Sequence, residues 1–250
     1  MDTRFWGPDG WRLLHSIAAN YPQRPSKKTK QLYYDFFKTL QLILPCIYCR
    51  DSFYQYITEL PVENYLENRD TLSHWVYQMH NKVNDKLYNQ GLYVEYNRSF
   101  PKVYRKYLDF VKNFNEHPCD LPFTVTGATP GWDFMYSVLF NFPTQASFAK
   151  KDPKRYQAYL DFFYLLAEIT PFKYFKETLK EHLDKYPIEA NLTREQLKRW
   201  GYTLEREYCK RMQLVCPKYR ERCRSVEFFR AGCNGKTDLR PTCHIKNTTW

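Results

Sequence analysis

Apolar residues recur at helical spacing through the first half of the chain and predict a series of helices. Within residues 10–20, Trp11, Leu14 and Ala18 fall on one face, and Asp9 stands where its side chain can cap the first turn. Alternating runs of β-branched residues, which would indicate strands, are scarce. The pattern therefore predicts an all-α fold. The same spacing predicts further helices over residues 31–44, 46–60, 69–87 and 103–114.

The second half of the chain repeats this pattern in the same order. Trp11 precedes Pro22 by eleven residues, and Trp132 precedes Pro143 by eleven. Two more pairs of segments correspond: Asp35-Phe36-Phe37 with Asp161-Phe162-Phe163, and Arg69 plus Leu72-x-x-Trp75 with Arg194 plus Leu197-x-x-Trp200. At the positions of Cys46, Cys49 and His80, the second half has Phe172, Phe175 and Glu205. This half is either a degenerate copy that keeps its packing residues or an unrelated helical domain.

A change in composition separates the two halves. Residues 115–130 contain three prolines and a glycine and show little periodicity, which is typical of a linker. We therefore predict three parts. The first is a helical domain over residues 1–114, the second is the linker over 115–130, and the third is a helical domain over 131–250 that ends in a cysteine-rich tail.

Composition excludes several other classes of protein. The chain has 250 residues but only 8 glycines, and the absence of a Gly-x-Gly-x-x-Gly motif argues against a dinucleotide-binding Rossmann fold. The net charge of +11 would suit anionic partners, but basic residues are spread along the helices, so no nucleic-acid partner is predicted. No apolar run reaches the length of about 18 residues that a membrane span needs, and the first residues do not resemble a signal peptide.

The candidate chemistry is concentrated in the motif Cys46-Ile47-Tyr48-Cys49. Pro45 precedes the motif and a helical run follows it, so the pair is predicted to lie at a helix start. The free N–H groups there lower the pKa of a thiol, and the thiolate either attacks a disulfide or binds a metal. Haem attachment requires a histidine after the second cysteine, where this chain has Arg50. A thioredoxin-like site is disfavoured because helical patterns, rather than a strand, flank the motif.

Several motifs follow one another in an order that points to one family. They are Trp11-x-x-Leu14-His15, Tyr21-Pro22, Pro45-Cys46-x-x-Cys49-Arg50, Leu72-x-x-Trp75 and His80-Asn81-Lys82-Val83-Asn84. Across about residues 5–110, this ordered set resembles the Erv/ALR family of FAD-linked sulfhydryl oxidases. The resemblance implies a four-helix bundle with a short fifth helix that binds FAD. It also implies oxidation of thiols in substrate proteins to disulfides, with O2 reduced to H2O2.

The resemblance also assigns roles to individual residues. Cys46 would face the incoming thiol, and Cys49 would lie beside the flavin ring. The residues implied in cofactor binding are Trp11, His15, Tyr54, His80, Asn81, Val83, Asn84 and Lys86. The disulfide that often fastens the last helix in the family is missing, because residues 50–118 contain no cysteine.

The resemblance has implications for assembly and location. Family members usually dimerise through the bundle, so we expect either a homodimer or an internal pseudodimer in which the second half replaces the partner, as in quiescin-type oxidases. The short N-terminus and basic extension are similar to those of enzymes from large cytoplasmic DNA viruses, which implies the host cytoplasm (the viral factory) or the virion. The alternative function is a zinc-stapled helical interaction protein, with Cys46 and Cys49 as half of the metal site.

The cysteines after Trp200 have three possible uses. Cys233 and Cys243 could form a shuttle disulfide, as family enzymes often carry, or the tail cysteines could form structural disulfides or bind zinc. On a continuous helix, Cys209 and Cys216 would be two turns and about 10 Å apart, which exceeds the reach of a disulfide.

Overall fold

The computed structural model describes residues 3–92, 99–116, 131–143, 148–188 and 192–232, with side chains up to Phe228. Every regular element in these ranges is a helix, which confirms the predicted all-α class. The α-helices are α1 (Thr3–Ala19), α2 (Lys27–Ile43), α3 (Ile47–Glu59), α4 (Arg69–Asn89), α5 (Phe100–Glu116), α6 (Trp132–Phe140), α7 (Phe148–Lys151), α8 (Pro153–Ile169), α9 (Lys173–Lys185), α10 (Arg194–Arg211) and α11 (Tyr219–Gly232). A 3₁₀ turn, Val62–Tyr65, connects α3 to α4.

Local capping and one buried tryptophan hold the first bundle together. Asn68 and Thr71 form a reciprocal capping box at the start of α4. One turn further along α4, buried Trp75 donates from Nε1 to the carbonyl of Leu60 at 2.8 Å. The start of α4 is tied to the turn that follows α1 by Arg69, whose Nε donates to the carbonyl of Tyr21 at 2.7 Å. These bonds fix α4 against the chain before it, while α1 packs on both α4 and α5.

The same bonds recur in the second half. Trp200 Nε1 donates to the carbonyl of Tyr186 at 2.8 Å, and Arg194 Nε donates to the carbonyl of Phe142 at 2.5 Å. A reciprocal capping box, here of Thr193 and Gln196, again begins the helix. Helix pairing matches as well, because α6 packs on α10 and α8 on α9, as α1 packs on α4 and α2 on α3. The repeated sequence motifs therefore make the same hydrogen bonds at equivalent places.

The two halves pack through helices that the repeat places in equivalent positions. α2 lies along α8, and α1 lies along α6. Phe36 and Phe162 stack with ring centroids 5.9 Å apart, and Arg155 donates from Nε to the carbonyl of Leu42 at 3.0 Å. Gly131 has a φ of +109° and lies so close to Leu13 that an added Cβ would come within 2.8 Å of its Cδ2. This interface joins the two halves into one continuous core.

Asp9 caps a different helix from the one predicted. α1 begins at Thr3, so Asp9 lies inside it, and Asp9 Oδ2 accepts a hydrogen bond from the backbone N–H of Asp133 at 3.0 Å. Asp9 therefore caps the first turn of α6 in the other half. Burial raises the pKa of this carboxyl, while the backbone hydrogen bonds oppose the increase.

The end of α5 also differs from the prediction. Asn115 and Glu116 belong to α5 and not to the linker. Asn115 donates from Nδ2 to the carbonyl of Pro171 and accepts from the backbone N–H of Lys173, so the end of α5 is tied to the start of α9.

Residues 117–130 and the cysteines Cys233 and Cys243 lie outside the described residues. Among the helices that the structure does describe, none combines the length and the apolarity that crossing a bilayer requires.

Candidate active site

The cysteine motif begins α3, as predicted. Cys46 is the N-cap residue in an extended conformation (φ −121°, ψ 136°), and its carbonyl accepts the N–H of Arg50 at 3.0 Å. The Arg50 side chain returns to the preceding turn and donates from Nη1 to the carbonyl of Leu44 at 2.7 Å. Cys49 stands in the first turn, so the two thiols lie on the same side and share a hydrogen bond. The local structure therefore holds the pair in contact.

The pKa of Cys49 moves in the direction opposite to the sequence prediction. The hydrogen bond to Cys46 and burial raise it well above the ordinary thiol value, and the nearby ammonium group of Lys86 opposes this increase. The prediction of a lowered pKa at the helix start was therefore wrong for Cys49. The partner thiol and the apolar surroundings outweigh the helix N-terminus.

The exposure of the two cysteines also differs from their expected roles. Cys46, expected to face an incoming thiol, is only 5% exposed, whereas Cys49 is half-buried. The two residues between them are accessible, since Ile47 is 58% exposed and Tyr48 is 39% exposed. Exposed apolar side chains therefore follow directly after the buried Cys46 in the chain.

Three of the predicted cofactor residues meet in one cluster between α1 and α4. Trp11 stacks on His80 with ring centroids 4.2 Å apart and planes inclined by 11°. His15 Nε2 and His80 Nδ1 share a hydrogen bond of 3.1 Å. On its other side, His15 stacks on Tyr107 of α5 at 4.6 Å. The sequence motifs thus come together as a column of flat rings, with Trp11 half-buried at one end.

Both histidines of this cluster have lowered pKa values. Burial lowers the pKa of His80 from 6.5 to about 4, and the positive charge of Lys106 adds to the effect. Burial, His80 and Lys106 lower the pKa of His15 well below 6.5. Both rings are therefore neutral at neutral pH, and one of them donates the shared proton to the other.

This arrangement predicts a loss of stability in mild acid. Between pH 6.5 and about pH 4, the unfolded chain binds protons at these histidines that the folded chain does not bind. The free energy of unfolding should therefore fall as the pH is lowered, by at most about 1.4 kcal/mol per pH unit for each histidine. Urea unfolding at a series of pH values measures the slope.

The variant His80→Gln should flatten this slope. A matched variant is His74→Gln, which changes a histidine on the same helix outside the ring cluster and should keep the acid-induced decrease. If the wild type shows no decrease between pH 6.5 and 4, the two histidines do not form the neutral buried pair.

The other predicted cofactor residues differ in their burial and in their contacts. Asn84 is buried on α4, and its Nδ2 has no hydrogen-bond partner. Lys86 donates from Nζ to Ser52 Oγ at 2.6 Å, which joins α4 to the cysteine helix. Asn81 and Val83 are half-buried on the same helix, and Val83 packs against the core. Tyr54 is 65% exposed, and no described contact joins it to the ring cluster.

Tyr107, Lys106 and Ser52 belong to this region but were missed in the sequence. Tyr107 is buried against His15, and exposed Lys106 extends over the Tyr107 ring at 5.5 Å. The spacing of Val103, Tyr107 and Val111 on α5 could have indicated that this helix turns Tyr107 inward. The sequence carries no comparable signal for Ser52, because its partner lies on another helix.

Comparison with known proteins identifies the family. The sequence model of the Erv1 / Alr family matches residues 8–107. Over 82 residues, the chain is 33% identical to the FAD-linked sulfhydryl oxidase of a Malawi tick isolate of African swine fever virus; the match covers 67% of that protein and 33% of this chain. The chain belongs to the Erv1 / Alr family.

Relatives of this Erv1 / Alr chain occur in viruses and in cells. It is 34% identical over 85 residues to a probable FAD-linked sulfhydryl oxidase of Acanthamoeba polyphaga mimivirus, and 38% identical over 86 residues to the mitochondrial FAD-linked sulfhydryl oxidase of Saccharomyces cerevisiae. Each match covers 34% of this chain, 59% of the mimivirus protein and 44% of the yeast protein. The chain thus spans about half the length of these two relatives.

The second half has counterparts of the Erv1 / Alr motif positions, and the side chains at these positions pack against one another. Trp132 and Tyr136 stand at the positions of Trp11 and His15, and both are almost fully buried. Phe175, at the position of Cys49, packs its ring edge-on against Trp132 at 5.5 Å. Tyr136 donates to Glu205, the counterpart of His80, at 2.6 Å. The equivalent site in the second half is therefore packed with the chain's own side chains.

Metal ligands do not gather in the part of the chain that the structure describes. Within residues 3–92, 99–116, 131–143, 148–188 and 192–232, no group of three or more His, Cys, Asp or Glu side chains could hold a metal ion. Cys46 and Cys49 form a pair with each other in these ranges, without a second pair of ligands beside them.

Proposed function

We propose that this chain is a FAD-dependent thiol oxidase that forms disulfides in substrate proteins. The observation that carries the proposal is the Cys46–Cys49 contact at the start of α3, next to a helix that bears Lys86, Asn84 and His80. The relatives named FAD-linked sulfhydryl oxidase support it. The overall reaction is 2 R-SH + O2 to R-S-S-R + H2O2.

The residues of the first half fit a bound FAD. Asn84 Nδ2 is a buried donor without a partner, which a ligand acceptor would satisfy. We propose that Trp11 and His15 contact the nucleotide from α1, and that α4 contributes His80, Asn81, Val83, Asn84 and Lys86. Tyr54 also belongs to the proposed site, and we expect its exposed ring to close over the cofactor. Exposed Lys106 is well placed to attract the pyrophosphate, because its charge already acts on both histidines.

When bound, FAD would supply an acceptor for the electron pair of the reduced cysteines and a route for that pair to dioxygen, which would leave as hydrogen peroxide. The chain itself carries out the thiol exchange. A substrate thiolate attacks the Cys46 sulfur of the oxidised Cys46–Cys49 disulfide, forms a mixed disulfide and releases Cys49 as a thiolate. A second substrate thiol then attacks the mixed disulfide, which forms the substrate disulfide and releases Cys46 as a thiol. Lys86 stabilises the Cys49 thiolate by its positive charge. Because Cys46 is 5% exposed, this exchange requires the start of α3 to open toward the substrate.

The first experiment is a visible spectrum of the purified chain, followed by oxygen uptake with dithiothreitol. The proposal predicts a yellow protein that consumes oxygen and releases hydrogen peroxide. A colourless protein that contains zinc and does not consume oxygen would instead support the zinc-stapled alternative.

A substitution at Asn84 tests the cofactor site separately. Asn84→Leu should weaken FAD binding about tenfold, since one hydrogen bond is lost. The FAD-free form should be no less stable than the wild type, because an unpartnered buried donor costs about 1–3 kcal/mol. FAD fluorescence titration and thermal unfolding measure the two effects.

Ser73 provides a matched control for Asn84. Its Oγ is also a buried polar atom of α4 without a partner, but it lies outside the proposed site. Ser73→Ala should preserve FAD affinity. Unchanged FAD affinity in Asn84→Leu would remove Asn84 from the site.

We propose that residues 131–211 are a degenerate copy of the first bundle and act as its internal dimer partner. The recurring Trp75 and Trp200 hydrogen bonds and the pairing of α1 with α6 and of α2 with α8 support this. The proposed division into residues 1–114, 115–130 and 131–250 agrees with this copy once the first domain is extended to Glu116, where α5 ends. Sedimentation of the purified chain as a monomer would agree with an internal pseudodimer, whereas a dimer would favour an intermolecular partner.

The proposed location is the host cytoplasm or the virion. The African swine fever virus and mimivirus relatives support a viral setting. Fractionation of infected cells and of purified particles, with an antibody to this chain, tests the location.

A further inference from the structure

The connection between α10 and α11 turns back on itself. α10 ends at Arg211, and Gln213 adopts a φ of +54°. The N–H of Leu214 donates to the carbonyl of Cys209 at 2.8 Å, and the N–H of Gln213 donates to the carbonyl of Lys210 at 3.3 Å. This is the hydrogen-bond pattern of a Schellman motif, which ends a helix and reverses the chain.

The reversal brings Cys216 back to Cys209. The two thiols share a side-chain hydrogen bond, so the separation of two helical turns expected from the sequence was wrong. The expectation failed because it assumed a continuous helix. Cys209 is buried and Cys216 is half-buried, so one thiol of the pair can still be reached from outside.

The turn between these cysteines also positions α11. Arg222 on this helix is only 5% exposed and pairs with Glu205, which is 2% exposed. The same guanidinium lies 3.7 Å from Asp133 and 5.0 Å from the Tyr136 ring. Glu205 and Tyr136 are the counterparts of His80 and His15, so Arg222 closes the site that would correspond to the cofactor site. Because α11 begins at Tyr219, soon after Cys216, a bond between the two cysteines would restrict where α11 and its Arg222 can lie.

We infer that Cys209 and Cys216 form a second disulfide, which fastens the end of α10 to the segment that leads into α11 and is made by another copy of this chain. The Cys216 thiolate attacks the Cys46 sulfur of the oxidised Cys46–Cys49 disulfide in the second copy, which breaks that bond and releases the Cys49 thiolate. The Cys209 thiolate then attacks the Cys216 sulfur, which forms the Cys209–Cys216 bond and releases Cys46. Two electrons and two protons leave the pair, and dioxygen takes them up as hydrogen peroxide through the oxidase activity. This step rests on the proposed function.

Peptide mapping without reduction tests the bond directly. Trypsin cleaves after Arg206, Lys210, Arg211 and Lys218, which separates the two cysteines into peptides 207–210 and 212–218. Cys223 falls into a third peptide. The wild type, purified from a reducing cytoplasm and alkylated before digestion, should yield peptides 207–210 and 212–218 as one cross-linked species that separates on reduction.

The source of the oxidising equivalents is tested with the variant Cys49→Ser. The same peptides should carry alkylated thiols in this variant, and a small amount of wild type with oxygen should restore the cross-link. A wild type that oxidises dithiothreitol but lacks the cross-link overturns this inference and leaves the proposed function intact. A wild type without oxidase activity overturns the proposed function. A cross-link in Cys49→Ser that forms without added wild type overturns oxidation by a second copy.

Thermal unfolding provides a second readout. Changing both Cys209 and Cys216 to serine should lower the melting temperature by roughly 5 °C, since a disulfide that closes an eight-residue loop restricts the unfolded chain. Treatment with a reductant should lower the melting temperature of the wild type but not of this variant. The control Cys223→Ser changes a half-buried cysteine of α11 and should preserve both the cross-link and its sensitivity to reductant.

Discussion

Replacing Cys49 with alanine is expected to lower oxygen uptake with dithiothreitol by on the order of 10³-fold or more, while FAD remains bound. The variant keeps Cys46, which can still exchange with a substrate thiol. It lacks the second sulfur, which is needed to form the disulfide and to pass the electron pair to FAD. Oxygen electrode measurements on FAD-loaded protein check the rate, and the visible spectrum checks the cofactor content.

Cys46→Ala should be equally inactive but chemically distinct. The hydrogen bond to Cys46 is the largest cause of the raised pKa of Cys49, so its removal should lower that pKa, with Lys86 still in place. The alkylation rate of Cys49 should therefore reach half its maximum at a lower pH in Cys46→Ala than in the reduced wild type. Mass spectrometry of the peptide that contains Cys49 measures this rate.

Cys223→Ala is the matched control for these substitutions, since it removes a thiol from α11 far along the chain from the motif. Its oxygen uptake should stay within about twofold of the wild type. Rapid dithiol oxidation by Cys49→Ala would show that another pair carries the electrons, and the proposed mechanism would then be wrong.

Replacing Arg222 with alanine should destabilise the fold by about 3–5 kcal/mol, the typical cost of removing one partner from a buried ion pair. Glu205 would remain buried with only the Tyr136 hydroxyl to stabilise its charge. Asp133 would lose a guanidinium that opposes the increase of its pKa, which burial and Asp9 already raise to about 7. Urea unfolding measures the loss.

The double variant Arg222→Met with Glu205→Gln should recover most of this loss, because it removes both charges and keeps a similar volume. Arg224→Ala changes an exposed arginine of the same helix and should alter stability by less than about 0.5 kcal/mol. If Arg222→Ala unfolds like Arg224→Ala, the buried network does not hold α11 in place.

Much of the first half could be predicted from local patterns. The apolar spacing predicted α2, α4 and the cysteine helix. Each of these helices buries one face, and a buried face appears in the sequence as apolar residues that recur at helical spacing. The family resemblance assigned Trp11 and His80 to the same cofactor site, and in the structure their ring centroids lie 4.2 Å apart. Tyr54 lies outside that cluster, because its position on α3 turns its ring toward solvent.

The pairing of Cys209 with Cys216 shows where local patterns do not suffice. Gln213 occupies the left-handed position that ends α10, where a glycine is the usual signal. Without that signal, the periodicity suggested a continuous helix. The chain that leaves the turn continues into α11, which packs against α6, and the spacing of residues 209–216 does not contain this long-range contact.

The sequence alone determined the all-α class, the family motifs and the position of the cysteine pair at a helix start, because these depend on residues close together along the chain. Only the tertiary structure decided which helix Asp9 caps, which way the pKa of Cys49 shifts and what fills the second site. Those outcomes depend on burial and on partners from distant segments, and the energies of such contacts leave no periodic trace in the sequence.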